Sequence, residues 1–196
     1  MAVPSLPMPD NSKAALRADA LAKRRAYARS LTPALRADLE AMLADIVLPR
    51  LIGARFVAGY HPMTTEIGCH RVLEGLGGGQ IAALPWFADR DARMMFREGP
   101  AVEPGPWNLL QPPSDANVVA PDTVLVPLVL GDRRGTRIGH GQGHYDRALT
   151  HLREAGPIFT IGIAWEVQIS DEPIPADPWD VPLDFCLTPA KLYRFQ

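Results

Sequence analysis

The sequence predicts a three-layer α/β/α fold, in which helices cover both faces of a mostly parallel central sheet. Short apolar runs alternate with segments of helical periodicity along most of the chain. The run at 123–130 is apolar almost throughout, as expected of a strand that is buried on both faces. The chain has 196 residues with 47% hydrophobic side chains, enough for a sizeable core. We therefore expect one domain over residues 12–196, preceded by a flexible, proline-containing tail at 1–11.

Two helices are predicted at the start of this domain. Ser12 is a suitable N-cap for the first helix, in which Lys13, Arg17 and Arg24 recur at a spacing that aligns their charges. Such a stripe is typical of a solvated basic face, and it also suits a helix that contacts an anion. Pro33, after Thr32, is favoured at the first position of the second helix.

The remaining strands and helices are predicted from the spacing of apolar residues, which alternates between the period of a strand and that of a helix. Strands are predicted at 55–60, 80–84, 93–96, 123–130, 158–164 and 185–188, and helices at 65–76 and 145–155. Ligands of such sheets bind beyond the carboxyl ends of the strands. We therefore expect the segments 60–66, 131–146 and 165–180 to lie on one rim.

Composition excludes several classes of protein. A net charge of −2 argues against a general nucleic-acid binder. Cys69 and Cys186 lack the spacing of a zinc site and are typical of free thiols in a reducing compartment. No apolar run approaches the roughly 18 residues of a membrane span. The expectation is a cytoplasmic monomer that binds neither nucleic acid nor membrane.

The segment from Arg137 to Arg147 carries the most chemical information. It places three glycines at alternate positions between a predicted strand and a predicted helix. Free backbone N–H groups and a helix N-terminus then face the same space, which suits a phosphate group. A plain tight turn explains the glycines equally well, but it does not require the flanking arginines or Asp146. A transition-metal site formed by His140, His144 and Asp146 is a less favoured alternative, because a glycine loop is a poor rigid frame.

Two further segments place acids on the predicted rim. Glu66 follows the strand at 55–60, where it either stabilises a helix start or accepts hydrogen bonds from an amino-bearing heterocycle. Asp180 is one of three acids in residues 177–184. Asp146 and Asp180 together suit a magnesium ion that bridges nucleotide phosphates.

These segments, in this order, resemble the 5-formyltetrahydrofolate cyclo-ligases, also called methenyltetrahydrofolate synthetases. The resemblance covers nearly the whole chain. The matching pieces are Lys13-Ala-Ala-Leu16-Arg17, Tyr60-His-Pro ahead of Glu66, Pro106-Trp107-Asn108, Gly135 through Arg147, Ile161-Gly-Ile-Ala164 and Asp180-x-Pro182-Leu183-Asp184.

The resemblance implies an ATP-dependent ligase with a Rossmann-like α/β fold. In this family ATP phosphorylates the formyl oxygen of 5-formyltetrahydrofolate, and N10 of the folate then attacks the activated carbon. Phosphate leaves, and the products are 5,10-methenyltetrahydrofolate, ADP and phosphate. Magnesium is the implied cofactor, with ATP as co-substrate. Phosphoryl transfer depends mainly on positioning and charge neutralisation, so a protein nucleophile is not required.

The resemblance also implies roles for particular residues. Arg137, Tyr145 and Asp146 match catalytic positions, and Asp146 and Asp180 match the magnesium positions. The positions that match ATP-binding residues are Lys13, Arg17, Arg137, Ile138, Gly139, His140, Gly141, Gln142, Gly143, His144 and Tyr145. The positions that match folate-binding residues are His61, Glu66, Trp107, His140 and His144.

The sequence departs from the family pattern at three positions. Gln142 replaces Lys or Gly, His144 replaces an aromatic residue, and Gly131 replaces Phe. A diverged paralogue that binds folate or nucleotide but acts on another substrate is therefore the alternative. A nucleic-acid-binding module that uses the basic first helix is a further alternative, which salt-dependent binding would reveal.

Overall fold

The computed structural model describes residues 12–195, so the tail expected at 1–11 lies outside the described residues. The helices are α1 (Lys13–Ser30), α2 (Pro33–Val47), α3 (His70–Glu74) and α4 (His144–Ala155). The strands are β1 (Phe56–Ala58), β2 (Ile81–Trp86), β3 (Met95–Glu98), β4 (Glu103–Pro104), β5 (Leu110–Gln111), β6 (Val118–Val119), β7 (Thr123–Pro127), β8 (Leu130–Asp132), β9 (Arg137–Ile138), β10 (Phe159–Ile163), β11 (Ile169–Ser170), β12 (Phe185–Leu187) and β13 (Leu192–Arg194).

Eight strands form the main sheet, in the order β13-β12-β10-β7-β1-β2-β3-β6. The five strands from β12 to β2 are parallel to one another. The strands β13, β3 and β6 add antiparallel pairs at the two edges. The predicted α/β fold with a mostly parallel central sheet is confirmed.

The central strands are buried on both faces, as their apolar sequences predict. In β7, Val124 and Val126 belong to one apolar cluster, together with Leu149 of α4. Leu125, between them, points to the opposite face and clusters with Leu43 of α2. Successive side chains of a strand alternate between faces, so this strand needs helices on both sides. Among residues 12–195, no helix is both long enough and apolar enough to cross a membrane.

Local sequence signals account for the helix starts. The Ser12 hydroxyl accepts the N–H of Ala15 at 3.2 Å, and the Thr32 hydroxyl accepts the N–H of Leu35 at 3.2 Å. Both side chains thereby satisfy a backbone donor that would otherwise lack a helical partner. Gly143 precedes α4 with a left-handed φ of 65°, a conformation that glycine adopts without steric cost.

Two predicted elements are shorter than expected. The helix predicted at 65–76 is confined to α3, because residues 63–66 form a turn in which the N–H of Glu66 bonds to the carbonyl of Met63 at 2.8 Å. The explanation of Glu66 as a residue of a first helical turn is therefore wrong. The strand predicted at 123–130 ends at Pro127, which lacks a donor for further pairing, and Leu130 begins β8 in a separate small sheet.

Candidate active site

A cleft of about 630 Å³ opens at the carboxyl ends of β1, β2 and β7. The residues expected at the site all line it, and they are Lys13, Arg17, His61, Glu66, Trp107, Arg137 through Asp146 and Asp180. The cleft therefore lies on the rim that the strand order predicts. Its wall combines three chemical surfaces, which are a glycine loop, a group of charged pairs and an aromatic cluster.

The glycine loop connects β9 to α4 and exposes backbone to the cleft. Gly141 has a φ of 93°, a left-handed conformation that L side chains rarely adopt. A Cβ added at Gly139 would meet no atom within 4 Å, so the backbone there borders open space. Arg17 donates from Nε to the Gly139 carbonyl at 2.7 Å and brings its charge beside the loop. The loop and the start of α4 thus form a concave, electropositive surface suited to an anion.

Lys13 connects the start of α1 to the segment at 177–180. Its ammonium group lies 2.6 Å from Asp177 Oδ2 and also donates to Asp180. Burial opposes the charge on Lys13, but the hydrogen bonds that Lys13 donates to Asp177 and Asp180 outweigh it and raise the pKa of Lys13. The lysine is therefore cationic at neutral pH.

Arg137 and Asp146 form the second charged pair. Arg137 Nη2 lies 2.6 Å from Asp146 Oδ1, and Nη1 donates to the carbonyl of Val181. Burial lowers the pKa of Arg137, while the charges of Asp146 and Asp180 act in the opposite direction. The same Asp146 oxygen accepts the N–H of Val181 at 3.2 Å. The residue after Asp180 is therefore fixed directly against Asp146.

Asp146 and Asp180, the two carboxylates expected at the magnesium positions, both line the cleft. Within residues 12–195, no group of three or more His, Cys, Asp or Glu side chains is arranged to hold a metal alone. Magnesium in nucleotide sites typically uses one or two protein carboxylates and completes its coordination with phosphate and water. Asp146 and Asp180 match that donor set, whereas the alternative transition-metal site of His140, His144 and Asp146 is not formed.

Glu66 lines the cleft beside His140 of the glycine loop and is almost completely buried. Its Oε1 accepts from Nη1 of Arg24 at 3.3 Å and lies 3.4 Å from Nε2 of His140. Its Oε2 accepts the N–H of Met63 at 2.9 Å. Arg24 is only 3% exposed, so the interpretation of the basic stripe as a solvated face is wrong at this position.

Three aromatic rings close one end of the cleft. The ring centroids of Phe87 and Trp107 lie 5.2 Å apart, and the His144 ring lies 5.0 Å from Phe87 and 5.3 Å from Trp107. Burial, followed by the charge of Arg147, lowers the pKa of His144 below its ordinary value of 6.5. In this state His144 is a neutral ring that packs with its aromatic neighbours.

Sequence reasoning missed Phe87 and Asp177. Phe87 directly follows β2, so the rule that ligands bind at carboxyl strand ends would have identified it. Asp177 lies three residues before Asp180 and shares its partner Lys13, but nothing in the sequence distinguishes it from a solvated loop acid. Of the three departures, Gln142 and His144 line the cleft, whereas Gly131 lies in β8 and does not.

Two phenols complete the cleft wall, the buried Tyr60 and the partly buried Tyr145. Burial raises the pKa of Tyr60 and of Tyr145 well above 10, so both side chains remain protonated. The hydroxyl of Tyr60 donates to the carbonyl of Ile67 at 2.7 Å. Tyr145 can therefore donate a hydrogen bond near the glycine loop but is a poor base at neutral pH.

Comparisons with known proteins identify one family. A model of the 5-formyltetrahydrofolate cyclo-ligase family matches residues 9–189. A 5-formyltetrahydrofolate cyclo-ligase from Mycolicibacterium smegmatis is 29% identical over 200 residues, covering 94% of this chain and 97% of that protein. The structure is similar to a 5,10-methenyltetrahydrofolate synthetase from Aquifex aeolicus (TM-score 0.75, 25% identity, 94% of this chain and 93% of that chain). It is also similar to one from Mycoplasma pneumoniae (TM-score 0.69, 26% identity, 91% and 99%).

Proposed function

The chain belongs to the 5-formyltetrahydrofolate cyclo-ligase family, a family of ligases, and on that premise we propose that it converts 5-formyltetrahydrofolate to 5,10-methenyltetrahydrofolate. The reaction uses ATP and magnesium and releases ADP and phosphate. ATP phosphorylates the formyl oxygen, N10 attacks the activated carbon, and phosphate leaves. We further propose that the protein acts as a cytoplasmic monomer with one domain over residues 12–196.

The observation that carries the proposal is that two chemically unlike groups of residues line one cleft. One group contains the glycine loop, Arg17 and Lys13, which suit the phosphates of ATP. The other has Glu66 with the aromatic rings of Phe87 and Trp107, which suit a flat heterocycle with amino donors. Phosphoryl transfer between two bound molecules requires this kind of juxtaposition.

The charged residues suit the chemical steps. Lys13, Arg17 and Arg137 offset the negative charge of the transferring phosphoryl group, which is the largest contribution that a protein makes to such a reaction. Magnesium, held by Asp146 and Asp180, would supply further charge neutralisation at the phosphates. Glu66 would orient the folate by accepting from its amino-pyrimidine edge, with His61 and His140 beside it.

An assay of product formation tests the proposal. We expect methenyl product, ADP and phosphate in equal amounts when folate, ATP and magnesium are all present, and no product when either ATP or magnesium is omitted. Product formed equally well without nucleotide would contradict the proposed mechanism. Folate or ATP binding without product would instead identify a diverged paralogue, the alternative that Gln142 and His144 leave open.

A further inference from the structure

The feature that the proposed function leaves unexplained is Arg24, a buried cation in the middle of α1. Its guanidinium group donates from Nε to Thr65 Oγ1 at 3.1 Å and from Nη1 to Glu66 Oε1 at 3.3 Å. Arginine side chains are rarely this buried unless an acid compensates their charge. Glu66, with a side chain that is 6% exposed, is the compensating acid.

Arg24 lies behind Glu66 as viewed from the cleft. Glu66 lines the cleft, and Arg24 does not. The contacts of Glu66 with Arg24, His140 and Met63 use part of its acceptor capacity, since a carboxylate offers about four lone-pair sites. The remaining capacity is available to donors on a ligand in the cleft.

The other titratable groups near Glu66 do not replace Arg24 as its cation. Burial raises the pKa values of Tyr60, Tyr145 and Cys69, so these groups are neutral. Arg36 donates to the backbone carbonyl of Glu66 rather than to its carboxylate. His140 has a half-exposed side chain and is charged only when protonated. Arg24 is thus the one permanent, buried cation of the described residues that bonds directly to the Glu66 carboxylate.

We propose that Arg24 is a positioning residue for folate recognition, which pairs with the Glu66 carboxylate and fixes it in one orientation without touching the substrate. The proposal rests on the proposed role of Glu66 in binding the folate. Arg24 bonds to the Thr65 hydroxyl and to the Glu66 carboxylate at once, and so holds these two side chains in place relative to α1. It therefore determines how well the cleft accepts a substrate that presents amino donors.

The test compares dissociation constants of 5-formyltetrahydrofolate and of ADP with magnesium, measured by calorimetry on the full chain. Arg24→Met is expected to weaken folate binding roughly tenfold and to change ADP binding less than about twofold. Glu66→Gln is expected to weaken folate binding roughly 10- to 150-fold. Arg25→Met is the matched control, because Arg25 is an exposed neighbour on the same helix, and we expect it to change neither constant.

The double variant Arg24→Met/Glu66→Gln separates positioning from a purely structural role. If Arg24 acts through Glu66, adding Arg24→Met to Glu66→Gln weakens folate binding no further. Additive losses, equal losses for folate and ADP, or unchanged folate binding in a folded Arg24→Met variant would each overturn the proposal. If only Glu66→Gln binds folate weakly, the proposed function stands and the positioning role of Arg24 is overturned. A wild-type chain that neither binds folate nor forms product would overturn both the proposed function and the positioning role.

A folding defect is controlled separately. Removing one member of a buried ion pair is more destabilising than removing both. If Arg24→Met does not fold, Arg24→Lys takes its place, because it retains the charge but cannot bond to Thr65 and Glu66 together. We expect that variant to weaken folate binding roughly threefold and leave ADP binding unchanged. Unchanged folate binding in Arg24→Lys would then count against the proposal.

Discussion

Asp146 and Asp180 face the same cleft but are held by different cations. Asp146 pairs with buried Arg137, and Asp180 pairs with the more accessible Lys13. We expect Asp146→Asn and Asp180→Asn each to lower kcat by at least about tenfold and to raise the magnesium concentration needed for activity, so that excess magnesium partly restores the rate. Each change removes one charged ligand and preserves the shape of the side chain.

A magnesium titration of the initial rate checks this expectation. Asp171→Asn is the matched control, since Asp171 is an exposed acid that pairs with Arg133 and does not line the cleft. We also expect Asp146→Asn to lower the melting temperature more than Asp180→Asn, because it leaves a buried guanidinium without its partner. An unchanged magnesium dependence in both folded variants would exclude the metal role.

The glycine loop allows a test of where the ligand lies in the cleft. The test adds a methyl group instead of removing a side chain. Gly139 borders open space and does not have the left-handed φ of Gly141 and Gly143. We therefore expect Gly139→Ala to leave the melting temperature unchanged but to raise KM for ATP by roughly tenfold, because the new methyl group enters the volume reserved for phosphate. Gly78→Ala, which also meets no atom within 4 Å, is the control outside the cleft. Equal KM values in both variants would show that no ligand approaches Gly139.

Sequence periodicity predicted most elements but not their ends. The caps Ser12 and Thr32 and the apolar strands were predictable because they depend on local chemistry and on alternation. The truncation of the helix predicted at 65–76 was not predictable, because Arg24, Arg36 and Trp165, all distant along the chain, bond to the turn before it. The small sheet of β8, β9 and β11 was also missed, since strands of two or three residues have no detectable period.

The grouping of the motif residues in one cleft was predicted better than their contacts with one another. Every residue inferred from motifs lines the cleft, because the motifs lie at strand ends and strand ends meet on one rim. Sequence could not reveal that Lys13 contacts Asp177 or that Arg24 contacts Glu66, since these pairs join distant segments. The expected membership of the cyclo-ligase family is confirmed, while the individual roles of the residues stay predictions.

Ligand binding is expected to stabilise the molecule as a whole, because the cleft joins α1, the glycine loop and the segment at 177–180. ADP with magnesium at about one hundred times its dissociation constant would add about 2.7 kcal/mol, which raises the melting temperature of a chain of this size by about 5–11 °C. Differential scanning calorimetry checks this value, with magnesium alone as the control. We expect a single transition in each case, and two separate transitions would contradict the proposal of one domain.

The contacts of α1 have a consequence for how the site is assembled during synthesis. Arg24 meets Thr65 across 41 residues of chain, whereas Lys13 meets Asp177 and Asp180 across 164 and 167 residues. A chain made from its N-terminus therefore carries α1 from the beginning, but the partners of its first turn emerge only near the end. The contacts of Arg24 with Thr65 and Glu66 join two segments that are both made early, so they can form while the protein is still being translated. The contacts of Lys13 with Asp177 and Asp180 cannot, so the nascent chain is unable to complete the phosphate side of the cleft until almost all of it has left the ribosome.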